Sequence, residues 1–174
     1  MKEYLTKDGR IVVIREAGER DLQAIIDVWN SVAAEKKHLL TERITDLQQS
    51  WFRQTIKEKS GLWAVSEIDE KIVGACNLMP RGAGHVGKTQ HVVELGMAIL
   101  SRYRGIGIGN AMMNFMIDWA NEKRYEKISL SVFSTNEPAI SLYKKYGFEI
   151  EGVKKKEFKI EDQYVDEVCM GKFL

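Results

Sequence analysis

VVELGMAIL (92–100), RGIGIG (104–109) and NAMMNFMIDWANEKR (110–124) follow one another along the chain. The first is an apolar run of strand length, and its Gly96 and paired valines argue against a helix. The last carries apolar residues at helical spacing. The order is therefore strand, glycine-rich turn, helix. Backbone N–H groups in the first helical turn have no partner within the helix, and the helix dipole favours negative charge there. Glycines clear side chains from that end, so the loop can wrap a phosphate or pyrophosphate. Arg104 adds positive charge at its entrance.

Outward from this unit, IVVIR (11–15) reads as a first strand. Asp21 to Ala34 has the amphipathic spacing of a helix, with Leu22, Ile25, Ile26, Trp29, Val32 and Ala33 on one face. A second helix is expected over Leu47 to Lys59, with Trp51, Ile56 and Phe52 inward and Ser60-Gly61 ending it. LWAVSEI (62–68) and KIVGACNLM (71–79) flank Asp69-Glu70 as a hairpin. KISLSVF (127–133) is another strand. Asn136 can cap a short helix with Pro138 in its first turn and Gly147 at its end. Two closing strands, 148–158 and 164–173, turn at Glu161-Asp162-Gln163. The expectation is one α/β domain over residues 1–174, with a mixed, mostly antiparallel sheet of about seven strands and about four flanking helices.

The 174 residues carry 26 basic and 25 acidic side chains, a net charge of +1. That balance argues against a nucleic-acid or anionic-membrane surface. Lys154-Lys155-Lys156 reads as a solvated strand face. MKEYLTKDGR (1–10) lacks the apolar segment of a signal peptide, and no run is long enough to span a membrane. Cys76 and Cys169 lie in apolar runs and read as buried free thiols, so a cytoplasmic location is expected. The three histidines His38, His85 and His91 form no cluster with cysteine, so no metal is expected.

A second glycine motif competes. GAGHVGKT (82–89) fits G-x-x-x-x-G-K-[ST], the P-loop pattern, with Lys88 as its lysine. A P-loop needs a helix starting inside the motif and an acidic strand end for Mg²⁺. The segment after it reads as strand, and 127–133 ends in Phe133-Ser134-Thr135. A small-molecule kinase is the weaker alternative, and a plain loop between strands the stronger.

Residues 92–148 resemble the Gcn5-related N-acetyltransferase superfamily. The acyl-CoA motif [Q/R]-x-x-G-x-[G/A] falls on Arg104, Gly107 and Gly109, ELGMAIL (94–100) resembles the splayed fourth strand, and NEPAISLYKKYGF (136–148) resembles the following motif. The closing stretch resembles the last hairpin of bacterial small-molecule and amino-acid acetyltransferases. One departure is Ser101, where the family often has proline.

The resemblance implies acetyl-CoA as cosubstrate, no metal, and a primary amine of a small molecule as acceptor: an amino acid, a polyamine, an aminoglycoside or a peptide N-terminus. It places the pyrophosphate on Arg104, Gly105, Ile106, Gly107, Ile108 and Gly109. The pantetheine lies along Met97, Ala98 and Ile99, with Asn136 and Ala139 alongside. It makes Tyr143 the acid that protonates the departing thiolate. A homodimer is the assembly that the superfamily suggests.

The attacking amine must be uncharged. For a lysine-like ammonium at neutral pH this costs about 4 kcal/mol, and for an α-ammonium about a quarter of that. Glu94 is the candidate base, acting directly or through water, with His91 second. Trp29, His38, Glu42 and Arg81 are candidates for the acceptor site, and the 82–88 loop for a lid over it. A catalytically inactive acyl-CoA-binding module is the other alternative.

Overall fold

The computed structural model describes residues 1–81 and 87–174. Among these, eight strands form one sheet: β1 (Lys2–Leu5), β2 (Ile11–Glu16), β3 (Leu62–Ile68), β4 (Lys71–Pro80), β5 (Val92–Ile99), β6 (Lys127–Phe133), β7 (Glu149–Ile160) and β8 (Gln163–Phe173). Four α-helices flank it: α1 (Leu22–Ala33), α2 (Asp46–Glu58), α3 (Ile108–Glu122) and α4 (Glu137–Lys145). The strand order is β1-β2-β3-β4-β5-β6-β8-β7. Neighbours are antiparallel except β5 and β6, which are parallel and joined by the α3 crossover.

The strand beyond the expected seven is β1, which pairs with β2 through a turn containing Gly9 at φ 85°. Three of its four residues are exposed, so it has no apolar alternation to reveal it. The β3–β4 hairpin turns at Asp69 and Glu70 as expected, with φ values of 50° and 61°. That turn ordinarily prefers asparagine and glycine, and the left-handed backbone is strained by roughly 1 kcal/mol at a residue such as Glu70.

α1 and α2 cover one face of the sheet around Ile25, Ile26, Phe52, Ile56 and Trp63. α3 covers the other, where Met112, Met113 and Met116 are fully buried. α2 starts with a capping box between Thr45 and Gln48. It ends at Lys59, which adopts the left-handed conformation (φ 50°) ahead of Ser60-Gly61. Trp51, expected inward, is exposed, whereas Phe52 and Ile56 are buried as expected. Trp63 donates from Nε1 to Thr55 Oγ1 at 2.9 Å, anchoring α2 to β3.

The segment after the P-loop-like motif is β5, a strand, so the helix that motif requires is missing. Residues 82–86, which hold most of the motif and of the expected lid, lie outside the described residues. The 154–156 lysines are exposed, and Lys154 and Lys155 pair with Glu167 and Asp166. Cys76 is fully buried, but Cys169 is only half-buried. Among the described residues no helix is long and apolar enough to cross a membrane.

The feature that makes a site is the short seam between β5 and β6. The two strands pair only over Val92↔Lys127, Val93↔Ile128 and Glu94↔Ser129. Beyond Glu94 they part, and the sheet opens into a gap at its middle.

Candidate active site

The glycine loop closes one end of this gap. Gly105 has φ 78° and Gly107, the cap residue of α3, has φ 106°. Both are conformations that an L side chain rarely adopts. A Cβ at either position would meet nothing within 4 Å, so the space in front of the loop is open. The cap has no side-chain oxygen, and the amides of Ile108, Gly109 and Asn110 start the helix without intrahelical acceptors. Gly109 serves packing as well: a Cβ there would lie 3.0 Å from Leu142 Cδ2 on α4. The side chains of Ile106 and Ile108 turn into the protein, so only their backbone bears on the site. The Arg104 amide donates to Ser101 O at 3.2 Å, which removes it from the expected phosphate cradle.

A cavity of about 1090 Å³ runs along the gap. Of the residues expected from sequence, its lining contains Glu94, Met97, Ile99, Arg104, Gly105, Gly107, Gly109, Asn136, Ala139, Tyr143, Trp29 and His38. Among the described residues it does not include Glu42, Arg81 or His91. Glu42 is exposed on the segment before α2. Arg81 extends the β4–β5 ladder, its amide donating to Val92 O at 2.9 Å. His91 lies before β5, where its carbonyl receives the amides of Glu126 and Lys127. The candidate base His91 is therefore held at the paired end of β5, away from the gap.

Alternation along β5 sorts the remaining residues. Leu100 N donates to Val73 O at 3.0 Å and Arg81 N to Val92 O, so the even-numbered residues direct their backbone groups to β4. Ala98 is one of these. Its backbone faces Ala75 and its side chain is buried under α1, which corrects its expected place beside a cofactor. Met97 and Ile99 direct theirs into the gap, where no strand stands opposite. The Ile99 carbonyl there accepts from Arg104 Nε at 2.8 Å.

The side chains alternate too. Glu94 and Gly96 face the α1 side, with Trp29 above Gly96; Met97 and Ile99 face the α3 and α4 side. Tyr143 comes from α4, only 8% exposed, with burial pushing its phenol up to about 12. It is therefore a proton donor across the neutral range. Asn136 caps α4, its Oδ1 accepting from Ala139 N at 3.4 Å, and still reaches the cavity.

Arg104 departs from the expected free charge. Its Nη1 and Nη2 each donate to one oxygen of Glu35 at 2.7 Å. This holds the Glu35 carboxyl below the usual carboxylate range. His38 Nε2 lies 3.3 Å from the same carboxylate. Burial first, and then Arg104, lower the imidazole from its ordinary value despite Glu35. The cavity also takes in Lys7, Leu39, Leu40, Thr41 and Gln48, which sequence reasoning missed. Lys7 reaches it because its amide donates to Ile106 O at 2.8 Å, a contact across 99 residues that no local pattern signals.

Residues 24–148 match the model of the Acetyltransferase (GNAT) family. This chain belongs to that family. Its member here is 32% identical over 163 residues to the L-amino acid N-acetyltransferase AaaT of Escherichia coli (strain K12), covering 92% of this chain and 97% of that protein. An acetyltransferase of the GNAT family from Streptococcus pneumoniae superposes with a TM-score of 0.82 at 25% identity, over 94% of this chain and 99% of that one. A GNAT phosphinothricin acetyltransferase (Pat) from Sinorhizobium meliloti, solved in complex with AcCoA, shares the fold with a TM-score of 0.81 at 18% identity, over 94% of this chain and 88% of that one. The GNAT member described here is thus an acyltransferase of the N-acetyltransferase type, and the family uses acetyl-CoA. The open space before Gly105 and Gly107 and the unpaired edge at Met97 fit a phosphate-bearing, amide-containing ligand.

Proposed function

We propose that residues 1–174 act as one acetyltransferase domain that acetylates the α-amine of a small, apolar amino-acid-like molecule. The observation that carries this reading is the composition of the cavity on the α1 side. Trp29, Leu39 and Leu40 form an apolar wall, and Glu94 is the sole carboxylate among the described lining residues. A polyamine or aminoglycoside brings several ammonium groups and needs several carboxylates to replace their water. One carboxylate beside an apolar wall suits one amine on an apolar body. The likeness to the L-amino acid N-acetyltransferase of Escherichia coli favours the same class.

Acetyl-CoA supplies the acetyl thioester. The amides of Gly105, Ile106, Gly107, Ile108 and Gly109 hold its diphosphate, and Lys7 adds a cation at the cavity mouth. The exposed edge at Met97 pairs with the pantetheine amides beside Ile99, whose carbonyl Arg104 already holds, and Asn136 and Ala139 border the opposite side. Glu94 takes the proton that the ammonium gives up, directly or through water. An α-ammonium is more acidic than a lysine-like one, so it needs less help from this base. Tyr143 gives its proton to the departing sulfur, and its raised proton affinity keeps the phenol protonated through the neutral range.

Thiol release measured against a panel of apolar and charged amino acids, polyamines, aminoglycosides and short peptides tests this. Apolar amino acids should react and polyamines should not, and Glu94→Gln should lower kcat/KM by about 100-fold. Acetyl-CoA binding without thiol release from any amine would instead make the protein an acyl-CoA-binding module.

A further inference from the structure

The segment between α1 and α2, residues 34–45, supplies Leu39, Leu40 and Thr41 to the cavity wall. At its far end it is fixed to the body of the protein. Ile44 is buried, its amide donates to Asn30 Oδ1 at 2.7 Å, and Thr45 caps α2. At its near end the fixing side chain is Glu35, which grips both terminal nitrogens of Arg104 at 2.7 Å. The third nitrogen of that guanidinium is bound to the Ile99 carbonyl. Arg104 sits in the loop that opens α3, 69 residues away in sequence. One planar cation therefore joins three parts of the site: the acceptor wall, the open strand edge and the phosphate loop.

We infer that Glu35 is a positioning residue for acceptor binding, acting through Arg104 to hold residues 38–41 over the cavity. This rests on the proposed function, because it assumes that the α1 side of the cavity takes the amine. The fork geometry is what matters. Two parallel bonds fix the orientation of the carboxylate as well as its distance, which a single charge contact does not. The pair also neutralises Arg104, so phosphate affinity is left to the loop amides and Lys7. Loss of Glu35 then disturbs the acceptor wall while the phosphate cradle keeps its donors. The nearby His38 contributes a contact to the same carboxylate at 3.3 Å, and its lowered proton affinity leaves it uncharged near neutrality.

Steady-state kinetics and calorimetry on the full chain test the assignment. Glu35→Gln should raise KM for the acceptor roughly tenfold, with kcat and the acetyl-CoA Kd within about twofold of wild type. Arg104→Lys, which keeps the charge but loses the fork, should raise the acceptor KM by a similar factor. A Glu35→Gln/Arg104→Lys double variant should be no worse than either single one. Glu161→Gln, which removes the exposed contact between Lys36 and Glu161 at 3.7 Å on the same segment, should change nothing. An unchanged acceptor KM in Glu35→Gln, or an equal loss of acetyl-CoA affinity, overturns the inference. Failure of wild type to bind acetyl-CoA or turn over an amine would instead overturn the functional reading beneath it.

Discussion

Trp29 rests directly on Gly96: a Cβ added to that glycine would lie 2.9 Å from Trp29 Cη2 and 2.7 Å from Asn77 Oδ1. Gly96 is two residues beyond Glu94, on the same face of β5. The glycine lets an aromatic wall sit on the strand that carries the candidate base. Gly96→Ala forces the ring or Asn77 to move, and overpacking of this kind costs about 1–3 kcal/mol. The variant should have a lower melting temperature and a raised acceptor KM with acetyl-CoA affinity retained, as thermal denaturation and steady-state kinetics would show.

Tyr143 is buried, and its phenol is pushed up to about 12. A raised value keeps the proton on through the neutral and mildly alkaline range and releases it only near the top of the scale. Tyr143→Phe should therefore lower kcat at least tenfold, within the usual range for loss of a proton donor, and leave the acetyl-CoA Kd unchanged. In wild type the kcat profile should show no decline from phenol ionisation below about pH 11. Undiminished turnover in the phenylalanine variant would remove Tyr143 from the acid role.

The left-handed backbone of Gly107 makes it intolerant of side chains even where space is free. Gly107→Ala should strain the loop by roughly 1–2 kcal/mol. Gly107→Glu adds a negative charge at the site assigned to a diphosphate, and acetyl-CoA binding should fall below detection in calorimetry. Lys88→Ala should bind normally, because Lys88 belongs to the motif whose helix is missing.

Away from the site, Asp21 accepts two bonds from Arg15, at 2.7 and 2.9 Å, and one from the Gly18 amide. Arg15 foremost holds its carboxyl below the usual range. A lowered folded value means the stabilisation is complete above the unfolded value near 3.9 and disappears as pH falls through the folded one. Asp21→Asn should destabilise the protein by about 1–3 kcal/mol at pH 7. The difference from wild type in chemical denaturation should shrink below about pH 4.

Local pattern made much of this molecule legible. The run from 92 to 124 read as strand, loop and helix because apolar spacing, glycines and helix length all agree there. The cap at Asn136 and the stop at Gly147 were readable from residue chemistry alone. Periodicity does not report which of two adjacent aromatic residues turns inward, so Trp51 and Phe52 needed the packing against Trp63. It is silent too on side chains that meet across the sheet. Lys7 at Ile106 and Glu35 at Arg104 are such meetings, and the second changes the meaning of a motif residue. The alternation that removes Ala98 from the gap follows from ladder register, which a strand's own sequence does not contain.

The proposed function depends on the amides that open α3 and on the strand edge beside them. Backbone amide chemical shifts followed during an acetyl-CoA titration test both at once. The largest changes are expected at Gly105 to Asn110 and at Met97, with Lys88 and His91 little affected. Unmoved amides at Gly107 to Gly109, with the changes clustered elsewhere, would contradict it.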